Sequence, residues 1–224
     1  MPLVTDRHLW LERLCAQTDG DVAHVGCADS PYTAELLRSG DLLHARLVRL
    51  ARVTGFDVDA AALELIRHTL ADERLVLADL SDHVPEQDRR RYALVVAGEV
   101  LEHVPDGDAF LRGCRELLAP GGRLCVTVPN ACCPKIGLRA LLGRESVHPD
   151  HRVYYGPRTL TRTLDAAGLE TAWMASCFPP GSSAAGREIV NPLLRGIHRV
   201  TQGPVGDGLI AIASARSNAS SIAS

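Results

Sequence analysis

The chain has 224 residues, 46% of them hydrophobic, which is enough for one sizeable core and makes one α/β domain the default expectation. The formal net charge is −3 at pH 7, so there is no overall basic field of the kind that nucleic-acid binding needs, and nucleic acid is an unlikely partner. No stretch approaches about 18 consecutive apolar residues, so no membrane association is expected.

The seven cysteines are an odd number without the spacing of a disulfide framework, and several lie inside apolar runs, where cysteine behaves as a small hydrophobic residue. Reduced thiols of this kind favour a cytoplasmic protein. The first residues carry charges and lack the apolar core of a signal peptide, which favours the same location. A homodimer is left open as the assembly.

Short apolar runs alternate with amphipathic segments along the chain, and this alternation predicts strands separated by helices. Ser30 is expected to cap a helix that has Pro31 at its first position, and residues 119–122 are expected to form a turn. The predicted helices are 6–17, 32–38, 41–52, 60–70, 105–118, 136–142, 158–167 and 192–200. The predicted strands are 22–25, 53–56, 75–78, 92–97, 123–128, 170–177 and 209–215.

Strands and helices at this spacing predict an α/β fold with a doubly wound, mostly parallel seven-stranded sheet and helices on both faces. One domain is expected over residues 1–216, followed by a disordered tail at 217–224. The connections 131–157 and 178–207 are long for a compact domain, so we expect them, with the short N-terminal segment, to cover the active site.

Residues 21–59 carry the most informative pattern, because an apolar strand breaks at Gly26, a helix follows, and a second strand ends on Asp57. Strand, small-residue turn, helix, strand and acid is the layout of a nucleotide-binding βαβ unit. The turn lets a ligand approach backbone N–H groups, and Asp57 can accept hydrogen bonds from a ribose diol. This spacing leaves the nucleotide open, and an NAD-dependent reductase remains an alternative.

Further stretches follow in a fixed order: after VAHVGCADS and VTGFDVDAAAL come LVLADLSD, YALVVAGEVLEHVPD, LLAPGGRLCVTVPN and HPDHRVYYGPRTLTRTLDAAGLE. Together they resemble class I S-adenosylmethionine-dependent methyltransferases of the small-molecule type, with the core of the ubiquinone-biosynthesis methyltransferases. The resemblance implies a Rossmann-like methyltransferase fold, S-adenosylmethionine as cofactor and S-adenosylhomocysteine as product. It also implies methyl transfer to an oxygen or nitrogen of a small-molecule acceptor, in secondary or cofactor metabolism.

The resemblance assigns cofactor contacts to the ends of four strands. A helix-capping role is the alternative for the acids, and it fits Asp59 better than Asp57. The implied residues are Gly26, Cys27 and Ala28 beside the methionine part, Asp57 and Val58 at the ribose, Asp79 and Leu80 at the adenine, and Gly98 and Glu99 beside the methyl group.

Three positions depart from the family pattern, because Ala28 and Ser30 replace glycines and Ala93 replaces an aspartate. Alanine at position 28 costs little if its φ is negative and is strained if the backbone is left-handed there, and we expect a negative φ. A degenerate methyltransferase fold that acts as a non-catalytic binding protein is the alternative these changes leave open.

The candidate catalytic residues are His151, His103 and Tyr154. His151 is the preferred general base, because an unperturbed imidazole titrates near neutral pH. The alternatives are that His103 only holds its loop and that His151 only pins the covering connection. His148 and His151 together with Cys132 and Cys133 match no standard metal-site spacing, so no metal is expected.

Overall fold

A computed structural model describes residues 1–70, 74–144, 148–178 and 185–216, and the predicted tail at 217–224 lies outside them. Eight described strands form one sheet. They are β1 (Leu3–Val4), β2 (Val22–Val25), β3 (Val53–Asp57), β4 (Arg74–Leu77), β5 (Tyr92–Gly98), β6 (Leu118–Pro129), β7 (Leu169–Cys177) and β8 (Gly208–Ala215). The described helices are α1 (Arg7–Ala16), α2 (Thr33–Ser39), α3 (Leu43–Leu47), α4 (Ala60–Thr69), α5 (Gly107–Leu117), α6 (Pro134–Leu141), α7 (Pro157–Ala166) and α8 (Ala185–Thr201).

The sheet has the strand order β1-β7-β8-β6-β5-β2-β3-β4. Only β8 runs antiparallel to its neighbours among the described strands. From β2 the chain winds to one side through β3 and β4, and then to the other side through β5 and β6. The predicted doubly wound, mostly parallel α/β fold is therefore confirmed, and β2 and β5 meet where the winding direction reverses.

The central strands are buried on both faces, which is why they read as continuous apolar runs. Along β5, Leu94 and Val96 pack with buried residues of α1 and α3, while Val95 and Ala97 pack with α5 and α7. Side chains alternate between the faces of a strand, so one apolar run supplies both layers. Helices cover both faces, as predicted.

Strand β1 was not predicted, and the sheet has eight strands rather than seven. Leu3 lies opposite Ser176 and Val4 opposite Cys177, so β1 extends the sheet beyond β7. Two residues are too few to show a strand periodicity, and the pairing depends on a strand far along the chain.

Two local predictions were wrong. The expected turn at 119–122 lies inside β6, where Leu118 pairs with Tyr92 and Arg123 with Leu94, so the extra residues bulge out of the ladder. The helix expected from Ser30 begins at Thr33, without a side-chain cap. The loop before it is held instead by the Thr33 hydroxyl, which donates to the Ala28 carbonyl at 2.6 Å.

The connection 131–157, here called the cover segment, is attached to the sheet at both ends. The Asn130 amide donates to the carbonyls of Pro204 and Gly206, and Ala131 donates to the Tyr155 carbonyl. Lys135 Nζ lies 2.9 Å from Asp207 Oδ2, so α6 is tied to the residue just before β8. Across the residues with assigned structure, no helix combines the length and apolar character needed to cross a bilayer.

Candidate active site

A cavity of about 720 Å³ opens at the carboxyl ends of β2, β3, β5 and β6. This is the point where the winding direction of the sheet reverses, and open α/β sheets bind ligands at such a point. The cavity is lined by the predicted residues Gly26, Cys27, Asp57, Val58, Gly98, Glu99, His103 and His151.

The first loop turns at Gly26, where only glycine fits. Its φ is +73°, and a Cβ built there would lie 2.2 Å from Val100 Cγ2. The Gly26 N–H donates to the Phe56 carbonyl at 2.8 Å, which fixes the turn against β3. The loop therefore passes close to the cavity as bare backbone.

Ala28 fits the loop without strain. It is not among the residues of the described chain with positive φ, as expected; Asp29 has that conformation, with φ +56°. Aspartate adopts left-handed backbone more readily than most residues. Ala28 is fully buried, so it lies behind the cavity wall rather than on it.

Asp57 holds the loop and also lines the cavity. Its Oδ2 accepts from the Ala28 N–H at 2.9 Å and its Oδ1 from the Asp59 N–H at 3.0 Å. Each carboxylate oxygen keeps a further lone pair, so a ribose diol can still bind. Asp59 caps α4 through the Ala62 N–H, as the sequence favoured.

Asp79 and Leu80 do not reach the cavity wall. Asp79 is exposed and accepts from the Ser81 N–H at 2.8 Å, while Leu80 is buried in the core against α5. Their assignment to the adenine stays a prediction.

Glu99 is held in a fixed place at the end of β5. It has φ +55°, its Oε1 accepts from the Thr127 hydroxyl at 3.1 Å, and the same oxygen lies 2.6 Å from Arg7 Nη1. Arg7 and His8 of α1 also line the cavity, although they were not predicted as site residues. Burial and the neighbouring Arg7 cation lower the pKa of His8 to about 4.

A pair of histidines lies beneath the cavity. They are His24 on β2, which lines the cavity, and His44 on α3, and their Nδ1 atoms are 3.3 Å apart. Burial lowers the pKa of His44 to about 4, and burial with the neighbouring His44 and His8 lowers that of His24. At this distance one nitrogen donates and the other accepts, so at most one of the two rings is protonated, and the lowered pKa values of both favour two neutral rings.

The predicted catalytic residues come together where the cover segment meets the loop after β5. The ring centroid of His151 lies 4.7 Å from that of His103, 5.1 Å from His148 and 5.7 Å from Tyr154. His103 Nδ1 lies 3.2 Å from the Asp150 carbonyl, which fixes its ring. Burial, then His103 and His148, lowers the pKa of His151. Tyr154 is not among the cavity-lining residues of the described chain.

Glu102 lies beside this cluster and was not predicted as a site residue. Its side chain is 1% exposed, and neither carboxylate oxygen has a hydrogen-bond partner among the described residues. Burial, and then the charge of Glu99, raises its pKa to about 8. The Glu102 carbonyl accepts from the N–H groups of Arg152 and Val153, which joins the cover segment to this loop.

Of the two connections expected to cover the active site, only the cover segment supplies lining residues among the described residues. His148, Asp150 and His151 of the cover segment line the cavity. The described part of 178–207 supplies no lining residue; Phe178, Leu194 and Val205 pack together beside Leu3 instead. A covering role for 178–207 stays a prediction.

The fold and cavity define an α/β protein of the class that binds nucleotide-type ligands at the switch point of its sheet. A family model described as a methyltransferase domain matches residues 9–172, and the chain belongs to that family. Membership confirms the predicted enzyme class, an S-adenosylmethionine-dependent methyltransferase, and with it the cofactor. It removes the NAD-dependent reductase as an alternative.

Curated relatives and solved structures agree with this family. The chain is 30% identical over 175 residues to a ubiquinone biosynthesis O-methyltransferase of Pseudomonas aeruginosa, covering 72% of this chain and 69% of the relative. An S-adenosylmethionine-dependent methyltransferase from Archaeoglobus fulgidus has a TM-score of 0.55 at 15% identity, covering 92% and 91% of the two chains. The DhpI–S-adenosylhomocysteine complex has a TM-score of 0.55 at 23% identity, covering 93% and 83%. These two structures share the fold of this chain.

Proposed function

We propose that this protein transfers a methyl group from S-adenosylmethionine to an oxygen or nitrogen of a small molecule in secondary or cofactor metabolism. The observation that carries the proposal is the placement of His103 and His151 on the wall of the cavity that Asp57 and Glu99 also line. The name of the Pseudomonas relative favours oxygen as the acceptor atom.

The residues at the strand ends fit this cofactor. The backbone of Gly26 and Cys27 lines the cavity, and Gly26 has no side chain that would keep a ligand away from it. The Asp57 carboxylate lines the same cavity and has lone pairs free to accept hydrogen bonds. Arg7 also lines the cavity and supplies a cation beside Glu99. When bound, S-adenosylmethionine supplies a methyl group already activated on a sulfonium.

The protein's own part is positioning and proton removal. A methyl displacement needs the acceptor atom in line with the methyl carbon, and holding that geometry does most of the work. If the acceptor is a hydroxyl, a ring nitrogen of His151 would accept its proton, while bound S-adenosylmethionine would supply the methyl group and leave as S-adenosylhomocysteine. The lowered pKa of His151 keeps the ring neutral at pH 7, which is the state that a base needs.

His103 and Tyr154 are then positioning residues. His103 is itself fixed by the Asp150 carbonyl and packs edge-on against the His151 ring. The Tyr154 ring also packs against the His151 ring, with their centroids 5.7 Å apart. A small-molecule acceptor, a homodimer and a cytoplasmic location stay predictions.

Calorimetry with S-adenosylhomocysteine tests the first half of the proposal, and we expect a micromolar Kd. No heat of binding at millimolar ligand would contradict it and favour the degenerate, non-catalytic alternative. A panel of phenols, catechols and amines, followed by mass spectrometry for a gain of one methyl group, tests the second half.

With an acceptor in hand, His151→Ala should lower turnover about 10²-fold while the Kd for S-adenosylhomocysteine stays within about twofold. His68→Ala is the matched control, because His68 is an exposed histidine on α4 that pairs only with Glu64 in the described chain. Full turnover in His151→Ala would contradict the assignment.

A further inference from the structure

We propose that Asp29 binds the α-ammonium group of the cofactor's amino-acid end and makes the cavity selective for ligands that carry this charge. Asp29 lies in the loop that begins at the Gly26 turn, and it lines the cavity. The inference rests on the S-adenosylmethionine cofactor of the proposed function, and the experiment below separates the failure of one from the failure of the other.

The backbone of Asp29 is the first observation that points to a ligand. Four non-glycine residues of the described chain have positive φ, and two of them, Asp29 at +56° and Glu99 at +55°, are carboxylates on the cavity wall. Glycine would adopt this conformation without strain. Strained residues of this kind cluster at ligand sites, so an aspartate here indicates a use for its side chain.

The second observation is that the Asp29 carboxylate has no hydrogen bond or ion pair with any described residue. Both of its oxygens therefore keep their lone pairs for a ligand. The other carboxylates that line the cavity each have a described partner: Asp57 accepts from two backbone N–H groups, Asp59 caps α4, Glu99 pairs with Arg7, and Asp150 Oδ2 lies 3.7 Å from His148 Nδ1.

The charges around Asp29 favour a cation. Burial raises the pKa of the Asp29 carboxyl, Arg7 opposes this rise, and the charges of Glu99 and Asp57 add to it. Arg7 is the only arginine or lysine among the described lining residues, and its Nη1 is already paired with Glu99 Oε1 at 2.6 Å. A positively charged ligand group would relieve the mutual repulsion of these carboxylates.

The histidines on the same side of the cavity do not supply that charge. Burial lowers the pKa of His8 to about 4, and it lowers the pKa of His24 as well. Both rings are therefore neutral at pH 7, and the negative charge of the wall stays unbalanced until a cationic ligand binds.

Hydrogen bonding decides which of the cofactor's two cations suits Asp29. An ammonium group has three N–H donors, whereas a sulfonium has no N–H or O–H donor. A carboxylate without hydrogen-bond partners is satisfied by the ammonium, through charge-assisted hydrogen bonds. Asp29 is therefore assigned to the ammonium, and a ligand that lacks this group should lose the interaction.

The test is calorimetry of Asp29→Asn with three ligands that differ at the amino-acid end. They are S-adenosylhomocysteine, its desamino analogue, which keeps only the carboxylate, and methylthioadenosine, which lacks the amino-acid part. Asparagine has nearly the size of aspartate and tolerates left-handed backbone, so the variant should fold.

The three ligands should respond to Asp29→Asn in different ways. The Kd for S-adenosylhomocysteine should rise by about 10-fold or more, because charge-assisted hydrogen bonds to the ammonium are lost. The desamino analogue should bind the variant more tightly than the wild type, because a like charge near its carboxylate is removed. The Kd for methylthioadenosine should stay within about twofold.

Asp29→Gly and Asp41→Asn are the control variants, and a thermal melt is measured on each. Asp29→Gly removes the carboxylate and relieves the positive φ, so its Kd for S-adenosylhomocysteine should rise as in Asp29→Asn while its Tm stays close to the wild-type value. Asp41 is exposed and is not a lining residue of the described chain, so Asp41→Asn should leave every Kd within about twofold.

An unchanged Kd for S-adenosylhomocysteine in Asp29→Asn, or an equal loss with methylthioadenosine, would overturn the proposal and leave the proposed function standing. Titration with S-adenosylmethionine separates the two cations: a loss equal to that of S-adenosylhomocysteine supports the ammonium, and a larger loss would assign Asp29 to the sulfonium and overturn the proposal. A wild-type protein that binds none of these ligands would refute the proposed function itself.

Discussion

Asp57→Ala separates the two roles of this carboxylate, which binds the loop and faces the cavity. The change removes hydrogen bonds from the backbone N–H groups of Ala28 and Asp59. Because the site is half-exposed, we expect a loss of about 2–3 kcal/mol in the free energy of unfolding, or roughly 4–12 °C in Tm. Losing charged hydrogen bonds to the ribose should cost a further ~1.5–3 kcal/mol of binding, about ten- to a hundredfold in Kd.

The assay is calorimetry with S-adenosylhomocysteine alongside thermal unfolding, with Asp106→Ala as the matched control. Asp106 accepts one backbone bond, from the Ala109 N–H at 2.8 Å, and is not a cavity-lining residue of the described chain. Asp106→Ala should lower the free energy of unfolding by about 1 kcal/mol, because a helix cap is lost, and should leave the Kd for S-adenosylhomocysteine unchanged. A wild-type Kd in Asp57→Ala, with lowered Tm, would show that Asp57 only braces the loop.

Three further changes test the loop and the histidine pair beneath it. Gly26→Ala should lower the free energy of unfolding by about 2–5 kcal/mol, because the strain of a positive φ adds to the overlap with a neighbouring methyl group. Gly40→Ala should lower it by only about 1–2 kcal/mol, because Gly40 has φ +79° but nothing within reach of its Cβ. Equal losses in urea unfolding would contradict this reasoning. Ala28→Gly should lower the free energy of unfolding by about 0.4–1 kcal/mol, because glycine gives the unfolded chain more conformational entropy. A raised Tm would refute the negative φ of Ala28. The pKa of His44 is about 4 in the folded protein and about 6.5 in the unfolded chain, so the unfolded chain binds the proton first as the pH falls. The free energy of unfolding should therefore decline by about 1.4 kcal/mol per pH unit between about pH 6.5 and pH 4 on account of His44, with no decline above that range. In His44→Phe this decline in the free energy of unfolding with falling pH, measured by urea unfolding, should disappear, whereas in His68→Ala it should remain. The same pH dependence in His44→Phe and in the wild type would refute the assignment.

The fold was predictable where burial alone determines the pattern. The strands β2, β3 and β5 are covered on both faces, so each gives an apolar run that needs no knowledge of its neighbours. Strand β1 has only its pairing with β7 to define it. Strand β6 passes through a proline and two glycines that ordinarily end a strand, and a bulge against β5 accommodates them.

The site was predictable at the strand ends and less so elsewhere. Gly26, Asp57 and Glu99 each follow an apolar run, and parallel strands bring their carboxyl ends to one edge. Arg7 reaches the cavity because α1 follows a strand that pairs with β7, a contact that no local pattern encodes. The isolation of the Glu102 carboxyl depends on how the cover segment packs over it, which again is a long-range property.

The ion pair at the base of the cover segment has a practical consequence. Lys135 is the only lysine in the sequence, so its Nζ is the only side-chain amine that an acylating dye can modify. The Lys135 side chain is 26% exposed and its amine is paired with Asp207, and a protonated, paired amine reacts slowly with an acylating dye. The rate of dye attachment at Lys135, measured separately from attachment at the Met1 α-amine, therefore reports how often α6 detaches from its aspartate, and a fluorophore placed there would follow the cover segment during turnover.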